Sequence, residues 1–155
     1  MKNIFVSLFV LIALSGCTQN TSSKEGSWSE SPYNQELPQE VKQEQMDVSI
    51  SLNEDEFSLP VEELLVTLTN RGDVAIGYGG ALYVEKLVDG EWLEIPLNRY
   101  AYTDDLVELR VGEEITQDVP VERVDGGFQK GTYRIRKSVS VDMNTYPLAV
   151  EFEVR

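Results

Sequence analysis

The chain has 155 residues, which is the length of one domain, and its 27 acidic and 13 basic side chains give a formal net charge of −14. Because such an acidic protein repels phosphate backbones and anionic lipid headgroups, we expect neither a nucleic-acid partner nor membrane attachment through a basic patch. Histidine is absent and Cys17 is the one cysteine. This excludes a disulfide within one chain and removes the usual acid–base group of neutral pH.

The first sixteen residues are typical of a signal peptide. Lys2 precedes an apolar run from Ile4 to Leu14. As a helix this run rises only about 16 Å, too short for a hydrocarbon core of about 30 Å. We therefore predict that residues 1–16 are a cleaved leader and not a transmembrane anchor.

The leader ends in Leu14-Ser15-Gly16-Cys17, which resembles the lipobox of bacterial lipoproteins. The resemblance implies cleavage between Gly16 and Cys17 and a thioether-linked diacylglyceryl group on the cysteine. Two acyl chains are required because one chain holds a protein at a membrane only marginally. The expected location is the extracytoplasmic face of a cell membrane, with the lipid on Cys17 as the membrane contact.

Residues 17–45 are mostly polar and include Pro32 and Pro38. A segment of this composition buries too little apolar surface to offset its ordering entropy, so we predict a disordered tether. Trp28 and Tyr33 are exceptions. We interpret them as isolated aromatic residues of that tether; the alternative is that they dock on the domain or on a partner.

From Met46 to Arg155 apolar and polar residues alternate with a period of two, which predicts strands. An Asp89-Gly90 pair predicts a hairpin turn. The fold expected for residues 46–155 is all-β, an immunoglobulin-like sandwich of about seven antiparallel strands. These strands are expected near residues 46–52, 64–69, 79–87, 92–97, 115–121, 133–141 and 148–154.

Tyr133 follows Gly131-Thr132 at the start of the sixth predicted strand. This placement resembles the tyrosine corner of Greek-key sandwiches. It predicts that Tyr133 is buried and that its hydroxyl bonds to backbone between Val124 and Lys130. The alternative is an ordinary core tyrosine.

Five short segments occur in a recurring order: Leu-Thr-Asn at 68–70, Tyr-Val-Glu-Lys-Leu at 83–87, Gly-Glu-Trp at 90–92, Val-Gly-Glu at 111–113 and Gly-Thr-Tyr-Arg-Ile at 131–135. Together they are similar to the bacterial immunoglobulin-like domains of Gram-positive lipoproteins and sensor ectodomains. The resemblance covers about residues 46–155. It implies the sandwich fold and transfers no catalytic residue.

The sequence predicts no catalytic residue, metal ligand or cofactor. It contains no Gly-x-Ser-x-Gly, Ser-x-x-Lys or Walker-type spacing. Gly77-Tyr78-Gly79-Gly80 is predicted to be a flexible turn. Acidic residues cluster at 54–56, 104–108 and 113–114, but none of these clusters matches a twelve-residue calcium loop, so we interpret them as solvated loop charge.

Tyr78, Tyr100 and Tyr102 lie in or beside the loops after the second and fourth predicted strands. Tyrosines on loops add contact area at low entropic cost, so these three are candidate partner contacts; the alternative is that they cap the core. We expect a lipid-anchored module that binds or scaffolds an unknown envelope protein or wall component. The alternatives are an inhibitor or modulator of an extracytoplasmic enzyme, and a ligand- or calcium-sensing ectodomain.

Basic residues follow Tyr133 in the sixth strand. If Tyr133 points inward, Arg134 and Arg136 point outward. Glu151 and Glu153 of the last strand are expected on the same outer face, which predicts exposed cross-strand ion pairs of roughly 0.2–1 kcal/mol each. The alternative is that Arg134, Arg136 and Lys137 bind an anionic wall polymer.

Overall fold

A computed structural model describes residues 28–103 and 105–155, which form twelve strands and one short 3-10 helix, Val121–Arg123. The strands build a sandwich of two sheets, as predicted. The larger sheet contains β1 (Ser29–Glu30), β4 (Glu56–Phe57), β6 (Ile76–Gly79), β7 (Tyr83–Val88), β8 (Glu91–Ile95), β9 (Leu106–Leu109), β11 (Gly131–Val141) and β12 (Asn144–Val154). The smaller sheet contains β2 (Glu40–Gln43), β3 (Met46–Leu52), β5 (Leu65–Asn70) and β10 (Glu114–Asp118).

The larger sheet has the order β1-β8-β7-β11-β12-β4. β11 is long enough to pair first with β7 and then with β6, and β9 pairs with the other side of β6. All pairs are antiparallel except β12 with β4. The smaller sheet, β10-β5-β3-β2, is antiparallel throughout. The seven predicted strands correspond to β3, β5, β7, β8, β10, β11 and β12, and the other five are short.

Alternation of side chains places the apolar face of each long strand between the two sheets. In β3, for example, Met46, Val48 and Ile50 are buried. The aromatic residues gather at one side of this core: the ring of Tyr133 stacks on Phe152 with centroids 5.6 Å apart. Phe57 meets Phe152 edge-on at 5.4 Å.

The hairpin turn between β7 and β8 has the predicted residues. Asp89 and Gly90 both have positive φ angles, 52° and 88°. Two successive residues with positive φ are the requirement of a type I′ turn, whose twist matches that of the flanking strands.

The glycine-rich segment at 77–80 is not the flexible turn that the sequence predicted. Its first three residues belong to β6, which lies between β9 and β11. The structure explains one of the glycines: a Cβ at Gly77 would lie 2.7 Å from the Ser140 Oγ and 3.1 Å from a Leu106 methyl group. Gly77 therefore allows Leu106 and Ser140 to approach the backbone.

The prediction of a disordered tether over residues 17–45 is wrong from residue 28 onward, because residues 29–30 and 40–43 are paired strands. Residues 28–38, which we call the N-terminal strap, cross the outer face of the larger sheet. The strap begins at β1, which pairs with β8. It ends at Pro38, whose carbonyl accepts a hydrogen bond from the Ala149 N–H of β12 at 3.0 Å. Residues 40–43 then form β2 of the smaller sheet, so the folded unit begins well before Met46.

The sheet holds the strap through both hydrogen bonds and apolar contacts: the Ser31 N–H donates to the Trp92 carbonyl at 2.9 Å, and the Gln35 carbonyl accepts from Arg134 at 3.0 Å. Leu37 is buried, and Trp28 is half-buried against the core. Trp28 and Tyr33 thus dock on the domain and are not isolated aromatic residues of a disordered tether. The predicted signal peptide, Gly16, Cys17 and the rest of the tether lie outside the described residues. None of the helices in the described part is long and apolar enough to cross a membrane.

Candidate functional site

A cluster of charged side chains lies under the strap, on the outer face of the larger sheet. Glu85 of β7 lies beside Arg134 and Arg136 of β11, because the two strands pair with Arg134 opposite Glu85. Glu85 and Arg134 are 0% exposed and Arg136 is 4% exposed. We call these three residues, with Glu94 of β8, the buried charge cluster.

Glu85 bridges the two guanidinium groups. One of its carboxylate oxygens accepts a hydrogen bond from the Arg134 Nε at 2.6 Å, and the other accepts one from the Arg136 Nε at 2.7 Å. Arg136 also donates to a Glu94 carboxylate oxygen at 2.9 Å. Burial nevertheless raises the pKa of Glu94, because its desolvation outweighs the attraction of Arg136.

The strap supplies the remaining hydrogen bonds of the cluster. The Ser31 hydroxyl donates to Glu85 at 2.8 Å, and the backbone carbonyls of Tyr33 and Gln35 accept hydrogen bonds from Arg134. Charge-assisted hydrogen bonds of this kind are about twice as strong as neutral ones. The strap and the charge cluster therefore form one unit. The strap covers the charged side chains, and the hydrogen bonds between the two parts satisfy the polar groups that become buried.

Aromatic rings enclose the two guanidinium groups. Arg134 lies over the Trp92 ring at 4.2 Å, and Arg136 lies over the Tyr83 ring at 3.9 Å. The Tyr33 ring of the strap is 5.2 Å from Arg136. Such cation–π contacts contribute about 2 kcal/mol when they are desolvated.

This geometry corrects both sequence interpretations of the basic strand. β11 and β12 do pair antiparallel, as predicted, and their register places Arg134 opposite Glu151. Its ion-pair partner is Glu85, however, and within the described residues no ion pair within 4 Å joins either arginine to Glu151 or Glu153. Because Arg134 and Arg136 are covered and paired, the exposed basic patch proposed for a wall polymer does not exist on this strand.

Lys137, the third residue of that hypothesis, points the opposite way, into the space between the sheets. It is 2% exposed. Its ammonium group donates to the carbonyls of Gly79 and Ala81 at 3.1 and 3.0 Å and to the Gln117 side-chain oxygen at 2.8 Å. Burial lowers the pKa of Lys137 to about 8. Lys137 thus links β11 to β10 of the smaller sheet and has a structural role.

Tyr133 lies where the sequence predicted. It is fully buried, and its hydroxyl accepts a hydrogen bond from the Gln129 N–H at 3.0 Å, within the turn between Val124 and Lys130. The turn therefore has one of its backbone donors satisfied from the core, which is the geometry that a tyrosine corner requires.

The three candidate contact tyrosines do not form one group. Tyr100 and Tyr102 lie in the loop between β8 and β9, with their rings edge-on and 4.8 Å apart. Tyr102 is half-buried against the core, and burial raises the pKa of its hydroxyl. Tyr100 is 41% exposed. Tyr78 belongs to β6, not to a loop, and is half-buried against the core.

The loop that carries Tyr100 is fixed at its base. Asn98 donates from its backbone N–H to the Arg123 carbonyl at 2.7 Å and from its side chain to Asp125 at 3.1 Å. Leu97 forms a β-bridge with Val124. The Tyr100 ring therefore stands on a supported turn with Tyr102 beneath it, and its exposed side is available for contact.

Among residues 28–103 and 105–155 no three acidic side chains come together as a metal site would require. The acids at 54–56 and 113–114 lie in loops and at strand ends on the surface, and all five are exposed.

Comparison with known proteins identifies the family. The family model for the bacterial Ig-like domain matches residues 43–153. The search of curated proteins found no match. Among solved structures, the CARDB domain of a Pyrococcus furiosus protein, determined in complex with di-metal ions, matches with a TM-score of 0.35 and 19% identity; the match covers 74% of this chain and 93% of that domain.

Bacterial Ig-like domains are typically extracellular. The family model covers more than two thirds of the chain, and the two-sheet sandwich agrees with it. The chain belongs to the bacterial Ig-like domain family.

Proposed function

We propose that this protein is a lipid-anchored, extracytoplasmic binding module that contacts an envelope partner through the loop between β8 and β9. The observation that supports the contact is the aromatic pair in that loop: Tyr100 is exposed while Tyr102 holds it from below. A large side chain presented on a fixed support loses little entropy on binding. The sequence Leu14-Ser15-Gly16-Cys17 supports the anchor.

The early start of the folded unit limits how far this module reaches. If Cys17 carries the lipid, only residues 18–27 separate it from Trp28. Ten residues span at most about 36 Å when fully extended. The predicted tether that ended at residue 45 would have allowed almost three times that distance. We therefore propose that the partner lies close to the membrane surface.

Two experiments test the proposal separately. Cys17→Ser is expected to abolish metabolic acyl labelling and to move the protein out of the membrane fraction. Equal labelling of the variant would refute the lipid anchor. For the contact, a photo-crosslinking amino acid in place of Tyr100 is expected to capture an envelope protein or wall fragment in intact cells.

The control for crosslinking is the same photo-reactive residue at Met143, which is 99% exposed at the tip of the β11–β12 hairpin. Because Met143 is almost fully exposed, random collisions label both positions. An adduct pattern that is identical at positions 100 and 143 would rule out a specific contact at the loop.

A further inference from the structure

Exposed apolar side chains are concentrated around β9. Seven large hydrophobic residues are exposed in the described part of the chain, and four of them lie between Tyr100 and Val111. On β9 itself, Leu106 is 70% exposed and Val107 is 46% exposed. An apolar cluster on an otherwise acidic surface is a common mark of a protein contact.

β9 is also an edge strand. It pairs with β6 on one side and with no other described strand. The other edge strands differ from β9: β1 and β4 have two residues each, and the exposed side chains of β2 and β10 are all polar or charged. Very short edges and edges that expose only polar or charged side chains resist the addition of another strand, whereas β9 exposes two apolar side chains beside its one acid, Glu108.

The surroundings of this edge indicate the charge of its partner. Residues 104–118 contain six acidic side chains and one basic side chain, Arg110. Glu108 points to the same face as Leu106, because side chains alternate along a strand. Its ion pair with Arg110 is long, 3.7 Å, and exposed, so it contributes little and leaves the site acidic. An acidic edge favours a basic strand.

From these observations we infer that β9 is a docking edge for an extended segment of a partner protein in which apolar and basic residues alternate. The segment adds to the larger sheet by backbone hydrogen bonds to β9. Its apolar side chains lie beside Val107, and its basic side chains lie beside Glu108. A second copy of this chain is a poor occupant, because each copy would bring the same acidic edge.

The inference deepens the proposed binding role and rests on it, since it names the partner chemistry next to the Tyr100 loop. The test uses the mature, unlipidated chain (residues 17–155 with Cys17→Ser) and a synthetic peptide, Lys-Val-Lys-Val-Lys-Val-Lys, at about 150 mM salt. Backbone amide NMR shifts are expected to change most at residues 105–110. The block peptide Lys-Lys-Lys-Lys-Val-Val-Val is expected to bind at least tenfold more weakly.

Two variants and two matched controls assign the binding to β9. Leu106→Lys and Glu108→Lys are each expected to weaken peptide binding at least tenfold. Glu151→Lys changes the net charge as Glu108→Lys does, at an exposed position of β12, and Met143→Lys matches Leu106→Lys at the exposed hairpin tip. Both controls are expected to change the affinity less than threefold.

Several results would overturn the inference. Equal binding of the two peptides, or equal weakening by Glu151→Lys, would mean that the peptide senses only the overall charge. Amide shifts located away from β9 would contradict the edge. A dimer in light scattering that Leu106→Lys converts to a monomer would assign the edge to a second copy. None of these results bears on crosslinking at Tyr100, so a failure of the β9 edge can be distinguished from a failure of the proposed loop contact.

Discussion

Removing the bridging carboxylate under the strap is expected to be among the most damaging single substitutions in this domain. Glu85→Ala removes the carboxylate to which Arg134 and Arg136 each donate a hydrogen bond, and both arginines stay buried. Breaking a buried ion pair by removing one partner costs about 3–5 kcal/mol, because the remaining charge stays desolvated. Arg134 then has no carboxylate partner, whereas Arg136 keeps its ion pair with Glu94 at 2.9 Å.

The assay is urea unfolding followed by the fluorescence of Trp28 and Trp92, which lie on the strap and beneath it. A loss of 3–5 kcal/mol corresponds to a fall of about 10–20 °C in Tm for a domain of this size. Glu85→Gln keeps the shape and one acceptor but removes the charge. It is expected to fall between the wild type and Glu85→Ala.

Glu151→Ala is the matched control. Glu151 is one of the two acids that the sequence predicts as ion-pair partners of the arginines, and it lies directly across from Arg134 on β12. It is exposed, and its carboxylate makes no ion pair within 4 Å to that arginine. Its removal is expected to change the free energy of unfolding by less than about 0.5 kcal/mol. If Glu151→Ala costs as much as Glu85→Ala, the assignment of the partner is refuted.

Three further predictions address the core and the boundary of the domain. Tyr133→Phe removes the hydroxyl that accepts from Gln129 and is expected to cost about 1 kcal/mol in urea unfolding; an unchanged midpoint would contradict the bond. Because burial lowers the pKa of Lys137 to about 8, below its unfolded value, the unfolded state binds more protons above pH 8. The unfolding free energy measured against Lys137→Met should therefore rise from pH 8 to pH 10, and a flat difference would contradict the shift. A chain that begins at Met46 lacks the strap and β2 and is expected to show no cooperative urea transition, whereas a chain that begins at Trp28 unfolds cooperatively.

The long strands and the sandwich could be predicted from the sequence because their signal is local. A period of two in hydrophobicity marks a strand with one buried face, and residues 46–52 and 148–154 show it clearly. Tyr133 could be predicted for the same reason, since the glycine turn, the tyrosine and the bonded backbone all lie within five residues. The five missed strands have two to four residues each, too few for a period to be visible.

The Tyr100 loop could be predicted only in part. The sequence shows three tyrosines near turn signals, but it does not show which rings meet. The sequence predicts a turn around Tyr78 because glycines surround it, whereas Gly77 lies in β6, where it lets Leu106 and Ser140 approach the backbone. The exposed apolar edge of β9 was missed because Leu-Val-Glu-Leu at 106–109 has no clear alternation.

The buried charge cluster was missed because the rule of alternation assumes that one face of each strand meets water. β11 breaks that assumption: Tyr133 and Ile135 face the core, while Arg134 and Arg136 face the strap, and all four are buried. The strap in turn has the composition of a disordered segment, because its binding depends on backbone carbonyls and a serine hydroxyl. A prediction of disorder from composition depends on the number of apolar residues and ignores contacts made by backbone carbonyls and hydroxyl groups.

The strap and the buried charge cluster depend on each other, and this dependence leaves a pattern in the sequence. Two arginines on a central strand of an acidic domain need acceptors, and β7, which pairs with one side of that strand, contains a single acid, Glu85. A guanidinium group has five N–H donors, so one carboxylate cannot satisfy all the donors of two guanidinium groups. The missing acceptors must come from a further segment, and a polar segment with Trp28 and Tyr33, rings suited to stack on guanidinium groups, is the candidate that the chain offers. Unsatisfied donors on a central strand are thus evidence against disorder in the polar segment that precedes it.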